Sequence, residues 1–236
     1  MNIKRKTYDE IEAEIPKASE LEQIPIEENG EPMVDMKPED GLILSFHNSG
    51  EMLELFGERM ICRAKVEEML LEANLAMQRI SDNLRLKIFY AYRALSIQDK
   101  YYANAIKHAR EQSPDRSEEW QMDFAHTRAA KPSVAGHATG GAIDLTIFDL
   151  EQGEDVDMGV PVYRAAINEA GRKIYTESPE IGEEFLSNRL LLREVMASVG
   201  FAPFSGEFWH FSYGDREWAA KLGKKKAFYD QLRLER

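Results

Sequence analysis

Residues 142–148 constrain the fold most, because the segment is apolar at nearly every position and its one charge is Asp144. Such a segment predicts a central strand that is covered on both faces. A buried, unpaired carboxylate is costly, so Asp144 must meet a cation, a metal ion or dedicated hydrogen-bond donors. A glycine-rich stretch that contains His137 leads into the strand. From this segment alone, the alternative is a structural aspartate that caps a loop through backbone hydrogen bonds.

A second unusual patch is Glu207-Phe-Trp-His210-Phe, in which an acid and a histidine flank large aromatic side chains. It lies at the start of a strand predicted over 208–213. Residues three apart in a flat strand face opposite ways, so Glu207 and His210 converge only if Glu207 lies in a loop or twist before the strand. The alternative is an aromatic edge strand with an incidental charge.

The two patches together offer two imidazoles and one carboxylate, from His137, Asp144 and His210. Zn²⁺ accepts this nitrogen and oxygen set, and three protein ligands leave a fourth position for water. A structural zinc site is normally closed by four ligands, usually including thiolates, whereas the single cysteine, Cys62, is remote and on a predicted helix. An open site points to catalysis, with Glu207 available as an acid–base and not as a ligand.

Arg93 ends a strand predicted over 84–93, in which apolar and basic residues alternate with a period of two. As a site residue it is a fixed cation aimed at a developing oxyanion or a substrate carboxylate. The alternative is a surface arginine at a strand end. The remaining histidines are predicted to be solvated or merely hydrogen-bonded, with His47 and His126 in loops and His108 on a polar helix face.

Helices and strands follow one another in irregular order. Apolar spacing and capping residues predict helices over 60–80, 97–112, 178–199 and 215–222. With the strands above, this order indicates an α+β fold with a small, mainly antiparallel sheet that carries the metal site and is flanked by helices. The acidic, proline-containing segment 1–45 is predicted to be an N-terminal arm, and 46–236 a single domain.

Charge and hydropathy exclude several classes of partner. Thirty Lys and Arg against 42 Asp and Glu give a net charge of −12 and a pI near 5.0, whereas phosphate binding needs clustered basic residues. Nucleic acid is therefore not expected as the main partner. No stretch approaches the roughly 18 apolar residues that span a bilayer, and no apolar segment follows the basic run at the start as in a secretory signal peptide. We expect a cytoplasmic protein without a membrane partner.

Two spaced motifs carry a resemblance to a known family. His137-x-x-Gly-x-Ala-x-Asp144, followed by Glu207-x-Trp-His210, resembles the zinc peptidases that group lysostaphin-type enzymes, D-alanyl-D-alanine peptidases and hedgehog-type domains. Chance occurrence of both motifs in this order is rare at average residue usage.

Further segments resemble one branch of that group, the D-alanyl-D-alanine dipeptidases of the vancomycin-resistance type. They are Tyr90-Ala-Tyr-Arg93, Asp157-Met-Gly and the stretch 188–201. The likeness covers residues 50–215 and leaves the arm and the basic tail outside.

The resemblance implies a fold of the hedgehog/D-Ala-D-Ala peptidase kind, with a zinc ion bound by His137, Asp144 and His210. It implies Glu207 as the catalytic base and Arg93 as the stabiliser of the transition state. The activity implied is hydrolysis of the D-alanyl-D-alanine dipeptide in peptidoglycan metabolism, by a zinc-activated water with a glutamate general base. The partner implied is a small D-amino-acid dipeptide or a peptidoglycan stem peptide, and the oligomeric state is left open.

Three departures from the family pattern concern the substrate. Ala135 stands where the family often has serine, and Ala94 where the branch usually has proline. Residues 160–163 lack the acid that in the dipeptidases pairs with the free ammonium group; Asp155, Asp157 or an acid of the arm are candidates to replace it. Loss of that anchor favours longer substrates, so a D,D- or L,D-carboxypeptidase of stem peptides is one alternative. A non-catalytic, zinc-containing binding module is another.

Overall fold

The computed structural model describes residues 5–38, 41–46, 50–162 and 171–234, so that His47 and position 163 of the predictions above lie outside the described residues. The helices are α1 (Tyr8–Glu12), α2 (Ala18–Glu22), α3 (Gly50–Phe56), α4 (Ala64–Ile80), α5 (Leu95–Gln112), α6 (Glu118–His126), α7 (Glu183–Ser198) and α8 (Arg216–Lys221). The strands are β1 (Met33–Asp35), β2 (Ile43–Leu44), β3 (Ile61–Arg63), β4 (Leu84–Tyr90), β5 (Ala142–Asp149), β6 (Glu154–Asp155), β7 (Ala202–Pro203) and β8 (His210–Ser212).

The main sheet has the strand order β2-β4-β5-β8-β7, with β6 paired to β5. The β2–β4 pair is parallel, and the other pairs of this sheet are antiparallel. β1 and β3 form a separate antiparallel pair. The fold is therefore α+β with a small, mainly antiparallel sheet, as the sequence predicts.

β5 is the central strand, and its two faces have different surroundings. Ile143, Leu145 and Ile147 are fully buried in the hydrophobic core, to which α4 and α7 contribute; α4 packs on β4, and α7 packs on α4. Because side chains alternate along a strand, Asp144 and Thr146 point to the opposite face. That face carries the polar cluster described below.

Two helices begin later than the sequence predicts. The helix predicted over 60–80 begins at Ala64, because residues 61–63 pair with β1 as a strand. The helix predicted from Ser178 begins at Glu183, with Gly182 as its N-cap. Ser178 lies instead in a turn, where its hydroxyl contacts the Tyr8 hydroxyl at 3.2 Å and accepts a hydrogen bond from the Glu180 backbone amide.

Other boundaries also differ from the predictions. β4 ends at Tyr90 after a β-bulge, so Arg93 lies in the connection to α5 and not at a strand end. The strand predicted over 208–213 is shorter, with 208 and 209 in a turn. His126 is the last residue of α6 and not part of a loop; the Ser117 hydroxyl caps this helix by accepting a hydrogen bond from the Trp120 amide. Sequence periodicity did not predict α6.

The segment predicted to be an arm packs on the rest of the chain where the structure describes it. β1 pairs with β3, and Glu28 forms an ion pair with the buried Arg63. The division at residue 45 stays a prediction. Among the described residues, the helices are either too short or too polar to cross a lipid bilayer.

Candidate metal centre and active-site cleft

Strand register brings Asp144 and His210 together. The two residues are direct partners in the antiparallel β5–β8 ladder, so their side chains leave the sheet on the same face. Both side chains are buried, and the His210 Nδ1 atom lies 2.9 Å from the Asp144 Oδ1 atom. The pairing therefore places one imidazole nitrogen against one carboxylate oxygen without contribution from a loop.

His137 reaches the same carboxylate from a 3₁₀ turn, Gly136–Thr139, that immediately precedes β5. Its Nε2 atom lies 3.2 Å from Asp144 Oδ1, and its Nδ1 atom lies 2.7 Å from the backbone carbonyl of Ala91. A carbonyl can only accept, so Nδ1 carries a proton. Because burial lowers the pKa of His137, the ring is neutral and the Nε2 lone pair faces Asp144.

Two glycines allow this turn to form. Gly140 closes it with a φ of 74°, in the left-handed region that favours glycine. At Gly136, a Cβ atom would lie 2.2 Å from the Asp215 Oδ2 atom, which a real Cβ does not tolerate. The glycine-rich approach to β5 is thus required by backbone conformation and by close packing.

The three side chains form a donor set that fits a divalent metal ion. One ligand atom from each of His137, Asp144 and His210 lies within 4.8 Å of the others, and all three residues are buried. Two neutral imidazoles and a carboxylate are the ligands that catalytic zinc sites use, with one position left open. The Ala91 carbonyl supplies the outer hydrogen bond that orients metal-ligating histidines in proteins.

Glu207 lies in the turn before β8, where its backbone carbonyl accepts a hydrogen bond from the His210 amide at 3.3 Å. A turn before the strand is what allows the side chains of Glu207 and His210 to face the same side. The side chain is partly buried and lines the same cleft as the three candidate ligands. Burial raises the pKa of Glu207 to about 8, assisted by the negative charge of Asp144 and opposed by the positive charge of His210.

Arg93 is held rigidly at the edge of the cluster. Its Nη1 atom donates to Gln98 Oε1 at 2.9 Å, and its guanidinium lies 4.3 Å from the centre of the Tyr90 ring. The Nη2 atom lies 3.9 Å from Asp144 Oδ2. The Nε atom is buried and makes no hydrogen bond within the described part of the chain. A cation fixed in this way remains available to a group that enters the cleft.

Charges in the cluster shift the protonation of the candidate ligands. Although burial opposes ionisation, the neighbouring His137 and His210 lower the pKa of Asp144. Burial lowers the pKa of His137 below its ordinary value. Burial also acts to lower the pKa of His210, but Glu217 and Asp144 on either side of the ring outweigh it and raise that pKa well above the ordinary value.

The cluster lies in a cleft of about 1100 Å³. The walls include Pro16 and Leu21 from the N-terminal segment, and Tyr101, His108 and His126 from α5 and α6. His108 and His126, which the sequence predicts to be solvated or merely hydrogen-bonded, thus line the cleft outside the metal-binding group, and His126 Nδ1 accepts a hydrogen bond from the Lys131 amide.

Sequence reasoning missed Glu217, which lies in the first turn of α8 and also lines the cleft. An acid in the first turn of a helix is common, so no sequence signal distinguished it. The proposed substitutes for the missing acid, Asp155 and Asp157, do not line the cleft. Asp155 pairs with Lys87 at 2.7 Å, and Asp157 accepts a hydrogen bond from the Gly159 amide at 2.7 Å.

Comparisons with known sequences identify one family. The sequence profile of the Peptidase_M15 family, described as D-ala-D-ala dipeptidase, matches residues 50–229. A D-alanyl-D-alanine dipeptidase of Synechocystis sp. is 27% identical over 233 residues, which cover 89% of this chain and 92% of that protein. A D-alanyl-D-alanine dipeptidase of Enterococcus faecalis is 32% identical over 89 residues, 38% of this chain and 42% of that protein. The solved structure of the LdcB LD-carboxypeptidase is 18% identical with a TM-score of 0.47, covering 93% of this chain and 87% of that chain.

Proposed function

We propose, since this chain belongs to the D-ala-D-ala dipeptidase family of metallopeptidases, that it is a zinc enzyme that hydrolyses the D-alanyl-D-alanine dipeptide of peptidoglycan metabolism. The observation that carries the proposal is the convergence of His137, Asp144 and His210 at one point of a cleft. Glu207 and Arg93 line the same cleft. The chain thus combines a donor set for the metal with a proton acceptor and a fixed cation.

His137 Nε2, His210 Nδ1 and a carboxylate oxygen of Asp144 are the atoms we assign to the metal. The chemistry that a bound zinc ion supplies is Lewis-acid polarisation of the scissile carbonyl and a lowered pKa of the attacking water. The hydrogen bond from His137 Nδ1 to the Ala91 carbonyl places the proton of the neutral ring on Nδ1, which leaves Nε2 available to the metal.

Glu207 is the proposed general base. Its carboxylate takes a proton from the attacking water and then returns it to the nitrogen of the leaving D-alanine. A carboxyl group whose pKa lies near neutrality suits both transfers, and the pKa of Glu207 is raised to about 8 in the cluster. The same group therefore acts first as base and then as acid.

Arg93 is the proposed stabiliser of the negative charge that develops on the carbonyl oxygen. Gln98 and the Tyr90 ring hold the guanidinium in place, so the cation needs no rearrangement as the charge develops. Its distance from Asp144 leaves it on the rim of the metal-binding group and not among the ligands.

The Arg93→Lys variant is expected to lose about 10²–10³-fold in kcat, because lysine keeps the charge but lacks the rigid, two-pronged donor group. Steady-state kinetics on the zinc-loaded protein measure the loss. Arg110→Lys is the matched control, since Arg110 is an exposed residue of α5 that pairs with Glu118 at the surface. A kcat of Arg93→Lys equal to that of Arg110→Lys would exclude the proposed role.

A second candidate is a carboxypeptidase that removes the terminal D-alanine from a peptidoglycan stem peptide. The volume of the cleft, about 1100 Å³, favours it. Pockets of about 300–1,000 Å³ enclose drug-sized ligands. A free dipeptide is much smaller than such a ligand and would leave most of this cleft empty.

Release of D-alanine separates the two candidates. The zinc-loaded protein is incubated with free D-alanyl-D-alanine and, in parallel, with a pentapeptide stem that ends in the same two residues. We expect a higher kcat/KM on the free dipeptide. Hydrolysis of the stem alone would replace the first candidate by the second, and hydrolysis of neither would refute both.

A further inference from the structure

The two ring nitrogens of His210 face two different carboxylates. Nδ1 lies 2.9 Å from Asp144 Oδ1, and Nε2 lies 3.4 Å from Glu217 Oε2. The second distance is that of an ion pair and is slightly longer than an ordinary N–H···O hydrogen bond. Nε2 is buried and makes no hydrogen bond within the described ranges. Glu217 is therefore positioned to accept its proton.

Glu217 is an unusual residue at this place. It follows the N-cap of α8 by two positions, yet its side chain is only 16% exposed. Its Oε1 atom is buried without a hydrogen-bond partner in the part of the chain that the structure describes. Among the described residues, its ion-pair partner is His210 and not a lysine or an arginine. An enclosed carboxylate without such a partner is costly, so its presence here calls for a role.

Glu217 faces the ring nitrogen that points away from the metal-binding group. A metal-ligating histidine usually donates its second N–H to a carboxylate or a carbonyl, which fixes the ring orientation and makes the ligating nitrogen more basic. His137 has such a partner in the Ala91 carbonyl. His210 has the corresponding partner in Glu217, and this partner carries a full negative charge.

We propose that Glu217 is a positioning residue that orients His210 for the metal and strengthens it as a ligand. The inference rests on the proposed metal-binding role of His210 and adds a residue outside the family motifs described above. Glu217 does not touch the substrate in this account. Its function is to accept the His210 Nε2–H, so that the Nδ1 lone pair faces Asp144 and His137.

The test compares Glu217→Ala and Glu217→Gln with the parent protein. Zinc affinity is measured by competition with a chelator, using zinc alone as the probe. Glu217→Ala is expected to bind zinc about 10–100-fold more weakly. Glu217→Gln should recover part of the affinity, because an amide oxygen accepts the same hydrogen bond without the charge.

The His210 Hε2 proton gives a readout that does not depend on activity. In the zinc-loaded parent its NMR signal should lie downfield and exchange slowly with water. The signal should be lost to fast exchange in Glu217→Ala and retained, closer to the ordinary chemical shift, in Glu217→Gln. A residue that merely stabilised α8 would leave this signal unchanged.

Glu207→Gln is the control for zinc affinity, because Glu207 lines the same cleft but is not the proposed acceptor of the His210 Nε2–H. We expect it to bind zinc as the parent does. Parent-like zinc affinity and an unchanged Hε2 signal in Glu217→Ala would overturn the inference and leave the proposed function intact. If Glu217→Ala does not fold, zinc affinity and the Hε2 signal are measured on Glu217→Gln. Parent-like values of both in that variant would likewise overturn the inference. A parent protein that binds no zinc would overturn the proposed function itself.

Discussion

Replacement of Glu207 by glutamine is expected to lower kcat about 10²–10⁴-fold while zinc binding is retained. A carboxamide has nearly the shape of the carboxylate but cannot take a proton from water at neutral pH. The candidate ligands His137, Asp144 and His210 keep their contacts with one another in this variant, because none of those contacts involves the Glu207 side chain. Steady-state kinetics and the zinc content of the same preparation provide the measurement.

Glu177→Gln is the matched control for this change. Glu177 is similarly enclosed, with 20% of its side chain exposed, but it pairs with Lys6 and Arg193 and does not line the cleft. Its variant should retain the parental kcat. If Glu207→Gln were as active as Glu177→Gln, the assignment of the general base would be wrong. Loss of zinc together with activity would instead make Glu207 a residue of the metal site.

Arg63→Met is expected to lower the free energy of unfolding by about 1–3 kcal/mol, because it removes a buried donor on which several acceptors depend. The Arg63 side chain is 2% exposed and makes two hydrogen bonds to Glu28, at 2.9 and 3.0 Å. It also donates to the backbone carbonyls of Glu31, Thr139 and Asp230. Removal of the guanidinium leaves these acceptors unsatisfied. Urea denaturation followed by circular dichroism measures the change.

Arg59→Met is the control for stability, since Arg59 also pairs with an acid, Asp35, but its own side chain is 52% exposed. An exposed pair of this kind contributes only about 0–1 kcal/mol. Glu28→Gln is the milder variant for the Arg63–Glu28 pair if Arg63→Met does not accumulate in folded form. Equal stabilities of the Arg59 and Arg63 variants would show that Arg63 does not hold the N-terminal segment to the His137 turn.

The local part of the site was predictable from the sequence. The isolated charge of Asp144 in an apolar strand requires a compensating group, and the glycines on either side of His137 provide the turn that brings one. Pairing of Asp144 with His210 depends on strand register, which alternation does not specify here because both strands are buried on both faces. The turn before β8 then brings Glu207 into the same cleft.

Other contacts were not predictable, because they depend on how distant elements pack. Arg63 and Glu28 are 35 positions apart and join through the β1–β3 pair, which is too short to show a periodic pattern. Glu217 resembles any acid in the first turn of a helix until α8 is placed beside β8. Ser178, where the sequence predicts the start of α7, instead contacts the Tyr8 hydroxyl of the distant N-terminal segment, which no local sequence signal reveals.

An anomalous difference map at the zinc absorption edge, from crystals of the zinc-loaded protein, locates the metal ion. We expect one peak per chain, about 2.0–2.2 Å from His137 Nε2, His210 Nδ1 and an oxygen atom of Asp144. A peak bound by other residues, or no peak at these three side chains in protein that hydrolyses the dipeptide, would show that the metal site is assigned wrongly.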